Sequence, residues 1–246
     1  MERFRCRALV LHGVDYGDSD RVMTLFTDTR GRLAAFARAA RKSRRRFAGA
    51  LEPFTLLSVQ LVETRGDLCR LDAAEVLDGF GELRSDIDRV ARASYAAELV
   101  RELSREREPH PDLFDLLHGF FTALAREGAG VTRMMRFELA ALAAGGLMPR
   151  LDACARCGAG DPLEPLFDPE HGGILCGKCG QGQGVRISKQ VSQALVALQR
   201  SELQGALEPA GHVRAEARQL LSRFIAHHLG KRLKSLEFMK QVGVEV

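Results

Sequence analysis

Four cysteines carry the clearest chemistry in this sequence. Cys154-Ala-Arg-Cys157 is followed, after eighteen residues, by Cys176-Gly-Lys-Cys179. Two C-x-x-C pairs at that interval match the spacing of four-cysteine zinc sites. Four thiolates complete a tetrahedral shell and leave no position for water, so a Zn2+ held by Cys154, Cys157, Cys176 and Cys179 would be structural, one per chain. Gly158 and Gly180 follow the two pairs and suit turns whose backbone amides approach the sulfurs. A redox pair and a degenerate site without metal are the competing readings. Thioredoxin-like chemistry needs one C-x-x-C at the head of a βαβ unit, and no such unit is visible.

The other reactive types read as structural. Cys6 and Cys69 fall in apolar strand-like runs and read as small buried residues. His171 lies between the cysteine pairs and reads as a turn residue. His227 and His228 are adjacent, so one helical face cannot present both rings. No G-x-S-x-G, P-loop or G-x-G-x-x-G occurs, and no residue pattern supports an enzyme.

The second signal is charge. From Arg38 to Phe47, six residues are cationic and none is acidic: Arg38, Arg41, Lys42, Arg44, Arg45 and Arg46. Such a loop suits a phosphate backbone, with Phe47, and Phe36 or Phe54, near stacking positions. The plainer reading is a solvated, flexible loop. Residues 1–50 hold 12 Lys/Arg against 5 Asp/Glu, a net +7, while the remainder holds 24 against 27, a net −3. This asymmetry points to a polyanion partner at the N-terminal end, nucleic acid before anionic membrane. Arginine supplies 30 of the 36 cations; GC-rich genomes favour its codons, so the bias alone does not imply phosphate recognition.

Around these residues the elements are legible. Short runs at Ala8–His12, Arg21–Thr27, Arg32–Arg38, Thr55–Glu63 and Leu68–Val76 read as five strands, with a turn at Asp28–Gly31 and another at Arg65–Asp67. Five strands in about 75 residues suggest a closed barrel, which removes exposed edges, and the OB-fold is the commonest of that size. From Ser85 the period becomes helical. Ser85-Asp-Ile-Asp caps a first helix that Glu108-Pro109-His110-Pro111 stops, and further helices are expected over 112–127, 132–144, 188–198 and 213–229. The expected class is α+β. A five-stranded OB-fold barrel (1–80) precedes an α-helical bundle (81–150 and 185–246), with a four-Cys zinc ribbon inserted at 151–184.

Composition agrees with a globular chain: 246 residues, 46% hydrophobic and 28% charged, which excludes a mostly disordered protein. No apolar run reaches membrane-spanning length and no apolar stretch follows the opening residues, so neither a span nor a secretory leader is expected. A cytoplasmic protein follows, its six cysteines reduced or metal-bound.

The order of parts, and specific stretches within it, resemble the bacterial RecO family of DNA repair proteins. Val14-Asp-Tyr-Gly-Asp-Ser-Asp-Arg-Val-Met-Thr-Leu-Phe-Thr27 is similar to the family's N-terminal signature. Gly31-Arg-Leu, Ala37-Arg38, Ala40-Arg41-Lys42 and Leu51-Glu-Pro-Phe54 continue it. Arg136-Phe-Glu-Leu, Gly146-Leu-Met-Pro149, Cys154-x-x-Cys157 and Leu229-Gly-Lys-Arg-Leu-Lys-Ser-Leu-Glu-Phe-Met239 extend the likeness over essentially the whole chain. Ala40 is a departure, since relatives often read Gly within an Ala-Arg-Gly-Ala-like stretch; this would stiffen the basic loop.

The resemblance implies a nucleoid-associated recombination mediator that performs no covalent chemistry. Such a protein binds single- and double-stranded DNA, anneals complementary strands and pairs with RecR. It also contacts the acidic C-terminal tail of single-stranded DNA-binding protein (SSB) and helps load RecA. For that tail, Arg133 and Arg136 are candidates, three apart on a helix lined by Met135, Leu139 and Leu142. Ordinary surface ion pairs are the plainer reading of those two arginines. From another class, a zinc-ribbon RNA-binding or ribosome-associated factor would share the basic barrel and the cysteine quartet. A metal-dependent hydrolase is disfavoured because the zinc shell would be full.

Overall fold

In the computed structural model, residues 2–43, 46, 47, 49–203, 205 and 207–245 are described. The chain forms two compact units, divided between Gly128 and Ala129.

The first unit holds β1 (Arg3–Tyr16), β2 (Asp20–Thr27), β3 (Gly31–Ala37), β4 (Leu56–Val62) and β5 (Cys69–Asp78). They close into a barrel in the order β1-β2-β3-β5-β4, with β1 paired to both β2 and β4. All neighbours are antiparallel except β3 and β5, the connectivity of the expected OB-fold. A register shift between Val10 and His12 lets β1 bend and serve two partners. This explains why one strand of 14 residues stands where the apolar run at Ala8–His12 suggested a short one. Alternation then sorts the side chains: Cys6, Ala8 and Val10 fill the barrel with Met23, Leu25, Leu33, Leu57, Val59 and Leu71, while Arg3, Arg5 and Arg7 face water.

Helices α1 (Ile87–Leu103) and α2 (Pro111–Glu127) belong to the same unit. Asp86, not Ser85, caps α1, its side chain accepting from the Asp88 amide. α1 ends at Leu103 with Ser104, ahead of the proline segment expected to stop it. Pro111 instead opens α2, where a missing N–H costs nothing. α2 packs on the barrel through aromatics: Phe114 against Phe26 at 6.0 Å between ring centres, and Phe121 against Phe54 at 5.6 Å. The expected boundary at residue 80 marks the change of period; packing keeps α1 and α2 with the barrel.

The second unit begins with α3 (Val131–Ala144). A small sheet follows, β6 (Leu166–Asp168), β7 (Gly173–Leu175) and β8 (Val185–Arg186), in the order β7-β6-β8, with the single turn α4 (Gly177–Gly180) between β7 and β8. Helices α5 (Lys189–Arg200), α6 (Gly211–Leu229) and α7 (Lys234–Gln241) complete it. Ser188 caps α5 as expected, accepting from the Val191 amide at 3.2 Å. Arg218 of α6 and Glu138 of α3 form a fully buried ion pair at 2.9 Å. Phe167 of β6 packs against Phe224 of α6 at 6.0 Å, seating the ribbon sheet on the helices of its own unit.

Candidate functional site

The two C-x-x-C pairs come together. The sulfurs of Cys154, Cys157, Cys176 and Cys179 lie within 4.8 Å of one another. Cys154 and Cys157 sit in a tight turn closed by the Gly158 amide on the Cys154 carbonyl at 2.8 Å, and Gly158 holds φ 77°. Cys176 precedes α4, and the Cys179 and Gly180 amides both bond its carbonyl, at 3.0 and 2.9 Å. Gly180 serves packing, since a Cβ there would lie 2.3 Å from Leu166 Cδ1. The Ala155 amide donates to the Ile174 carbonyl at 2.7 Å, so the first cysteine turn rests on β7.

The donor set fits a tetrahedral thiophilic cation. Cys157 and Cys176 Sγ are 3.8 Å apart, the edge length of about 3.8 Å that follows from Zn–S bonds near 2.3 Å. Protonation tells the same story. Burial opposes ionisation of Cys154, but the amides of Cys157, Cys176 and Arg156 outweigh it and lower the thiol to about 6. The Cys179 amide likewise lowers Cys176. Cys179, hydrogen-bonded by the Cys157 and Cys176 sulfurs, is pushed up to about 12. So close a cluster cannot carry four thiolate charges without a bound cation. Held there, a metal ion would cross-link the two turns and supply no open coordination position.

The remaining expected structural residues fall into place. His171 Nδ1 meets Asp168 Oδ2 at 2.7 Å in the β6–β7 turn. The His228 ring lies 4.1 Å from that of Phe224, with Nδ1 on the Phe224 carbonyl at 3.0 Å. Cys6 and Cys69 are buried in the barrel, and burial pushes Cys6 up to about 12 and raises Cys69.

The cationic segment leaves the barrel after β3. A 3-10 turn at Ala40–Lys42 follows Ala39, which holds a left-handed φ of 53° while its amide donates to Asp20 Oδ1 at 2.7 Å. Ala40, Phe47, Ala50 and Leu51 are buried with the barrel core, so the described part is anchored at both ends rather than freely solvated. Arg38, Arg41, Lys42 and Arg46 are all exposed. Arg46 donates to the Arg38 carbonyl at 2.8 Å and lies over the Phe47 ring; Arg41 pairs with Asp15 at 3.6 Å. Arg44 and Arg45 lie outside the described residues.

One expectation needs correction. Phe47 is 2% exposed and fills the barrel, and Phe54 is buried against Phe121; neither is open to a base. Apolarity drew both inward. Arg136 also turns inward, 4% exposed, donating to Ser201 Oγ at 3.0 Å and to the Leu207 carbonyl. The Arg136 guanidinium is thus held by the α5–α6 connection, and its neighbour Arg133 is half-buried. This burial is not legible from local pattern, because the acceptors lie 65 and 71 residues further on.

Comparison with known proteins agrees with both halves of the architecture. Residues 1–80 match the family model for the N-terminal part of recombination protein O, and residues 84–237 match the model for its C-terminal part. The DNA repair protein RecO of Myxococcus xanthus is 52% identical over 246 residues, covering 100% of both chains. That of Anaeromyxobacter dehalogenans (strain 2CP-C) is 49% identical over 252 residues, covering 99% of this chain and 98% of the relative. That of Geobacter sulfurreducens is 37% identical over 247 residues, covering 98% and 99%. Two family models in sequence order, full-length relatives and a barrel carrying exposed cations lead to one assignment: the chain belongs to the RecO family of DNA repair and recombination proteins.

Proposed function

We propose that the protein is a cytoplasmic, non-enzymatic recombination mediator. It binds single- and double-stranded DNA through the cations Arg38, Arg41, Lys42, Arg44, Arg45 and Arg46, and anneals complementary strands. With RecR it loads RecA onto SSB-coated single strands. Family membership together with an acid-free cationic segment anchored on an OB-fold barrel carries this reading. Guanidinium and ammonium groups on a fixed platform neutralise phosphates without reading bases, which suits annealing of any sequence. The four cysteines hold one structural Zn2+, supported by their mutual distances and the 3.8 Å sulfur–sulfur edge.

For the acidic SSB tail, Arg133 and Arg136 are one candidate, and a groove between α6 and α7 is a second. It has a volume of about 470 Å3, and its lining sets Arg214, Arg223, Arg232 and Lys240 and the apolar Leu233 and Leu236 against two acids, Glu237 and Glu245. Cations around an apolar floor match a peptide with carboxylates and a terminal apolar side chain.

The test is annealing of complementary strands coated with SSB. The wild type accelerates duplex formation, and Arg41→Ala/Lys42→Ala/Arg46→Ala protein does so weakly. An annealing rate equal to the spontaneous one refutes the mediator reading. A preference for structured RNA over single-stranded DNA in direct competition refutes the choice of DNA.

A further inference from the structure

The four ribbon sulfurs are not equally placed. Cys154 is buried, Cys157 is exposed, and Cys176 and Cys179 lie between these extremes. Cys154 is also fixed through its backbone, its amide donating to the Ala159 carbonyl at 2.8 Å and its carbonyl accepting from the Gly158 amide at 2.8 Å. Cys157 and Cys176 Sγ face each other at 3.8 Å across the gap between the two turns. Each of these two cysteines is followed by a glycine with room around it, Gly158 or Gly177. A Cβ on Gly177 would meet nothing within 4 Å, and one on Gly158 only the Arg150 guanidinium, at 3.9 Å. Gly180, which follows Cys179, is instead pinned against Leu166.

These differences single out one pair. A disulfide holds its sulfurs about 2.05 Å apart, so Cys157 and Cys176 must close by about 1.8 Å. Their glycine neighbours have space to absorb that movement. Cys154 is locked in its turn, and Cys179 is tied to a glycine wedged on β6. A dissolved oxidant meets Cys157 first, because its sulfur belongs to the exposed member of the four. Cys6 and Cys69 are shielded in the barrel core, so oxidation stays within the ribbon.

We propose that the ribbon is a peroxide-responsive metal switch, in which a bridge between Cys157 and Cys176 replaces the cation as the link between the two turns. The inference rests on the zinc reading above and adds a second state to it. One oxygen of hydrogen peroxide bonds to the Cys157 sulfur as the O–O bond breaks, and the other leaves as water after taking a proton from solvent. The Cys176 thiolate then attacks that sulfur. The S–S bond forms, and hydroxide departs as a second water with another solvent proton. Two electrons have passed from two sulfurs to the peroxide. Cys154 and Cys179 remain as thiolates, half of a closed tetrahedral shell and too few donors to hold the cation. The bridge runs between the pairs rather than within one, so Cys154-x-x-Cys157 stays tied to Cys176-x-x-Cys179. A reducing dithiol with fresh zinc reverses the change.

The full chain, purified without chelator, is assayed for zinc and then exposed to hydrogen peroxide. Released zinc is followed with a chromogenic chelator, and the bridge by mass spectrometry of peptides prepared without reduction. The expected result is loss of the bound zinc, a bridged Cys157–Cys176 peptide, and Cys154 and Cys179 still open to alkylation. Cys6→Ala protein should respond as the wild type does. Hydrogen exchange over β6–β8 should be slower in the oxidised protein than in reduced protein stripped by a chelator. Dithiothreitol with zinc should restore the metal. Zinc retained under peroxide overturns the switch and leaves the structural site standing. A bridge within Cys154-x-x-Cys157 or Cys176-x-x-Cys179 also overturns it, because the turns would come apart, and so does equal exchange in the two metal-free forms. Protein that carries no zinc as purified refutes the zinc reading, and the switch with it.

Discussion

Ala39 is a single residue on which the cationic segment turns. Its φ of 53° costs a side-chain-bearing residue about 1–2 kcal/mol. The resemblance expects a glycine at Ala40; the left-handed backbone lies one residue earlier. Ala39→Gly should raise stability by about 0.5–1 kcal/mol, because relief of strain exceeds the added freedom of the unfolded chain. Urea denaturation checks this, and a loss of stability contradicts it. Cysteine chemistry separates two environments. Burial pushes the Cys6 thiol from its ordinary value of 9.0 to about 12. The protonated form is therefore favoured in the fold, and its contribution is complete below pH 9 and declines as the pH rises toward 12. Stability should fall over that alkaline range, and less so in Cys6→Ala. At neutral pH, thiol reagents should leave Cys6 and Cys69 unmodified until the protein unfolds. The four ribbon cysteines should react once a chelator removes their metal.

The ribbon and the barrel are elements of different compact units, so their losses should be separable. Cys157→Ser or Cys176→Ser should abolish bound zinc in metal analysis and raise hydrogen exchange over β6–β8. Barrel amides should keep their protection, and collapse of both together would refute this independence. Zinc release should also follow acidification, because protons compete for the thiolates. Within the helices, Arg218→Leu should cost about 3–5 kcal/mol by removing one partner of the buried Arg218–Glu138 ion pair, which urea denaturation would register. A large part of this architecture was readable in advance. Alternation gave five strands, period gave five helices, and the cysteine spacing picked out its cluster. α7 escaped notice because its apolar residues Leu236, Phe238 and Met239 fall within four positions of an eight-residue segment, too short a run to define a period. Phe47 looked like a base-stacking ring, because composition alone does not separate a loop over a barrel from a plug within it. The burial of Arg136 was illegible for a related reason: its acceptors are non-local.

At the scale of the whole molecule, a net +7 in residues 1–50 and −3 in the rest acquires a physical meaning. The barrel places the surplus cations outward at one end of β3, and full-length likeness to RecO proteins makes DNA the polyanion of choice. Phosphate binding releases counterions, so affinity must fall with salt, by about 0.7 in log–log slope per single-strand contact. The decisive measurement is single-stranded DNA affinity across a salt series, for the wild type and for Arg38→Ala/Arg41→Ala/Lys42→Ala/Arg46→Ala. The wild type should give a steep negative slope, and the variant should lose about 2–3 units of it. An identical slope in both proteins, or no salt dependence in the wild type, would contradict DNA binding through this segment.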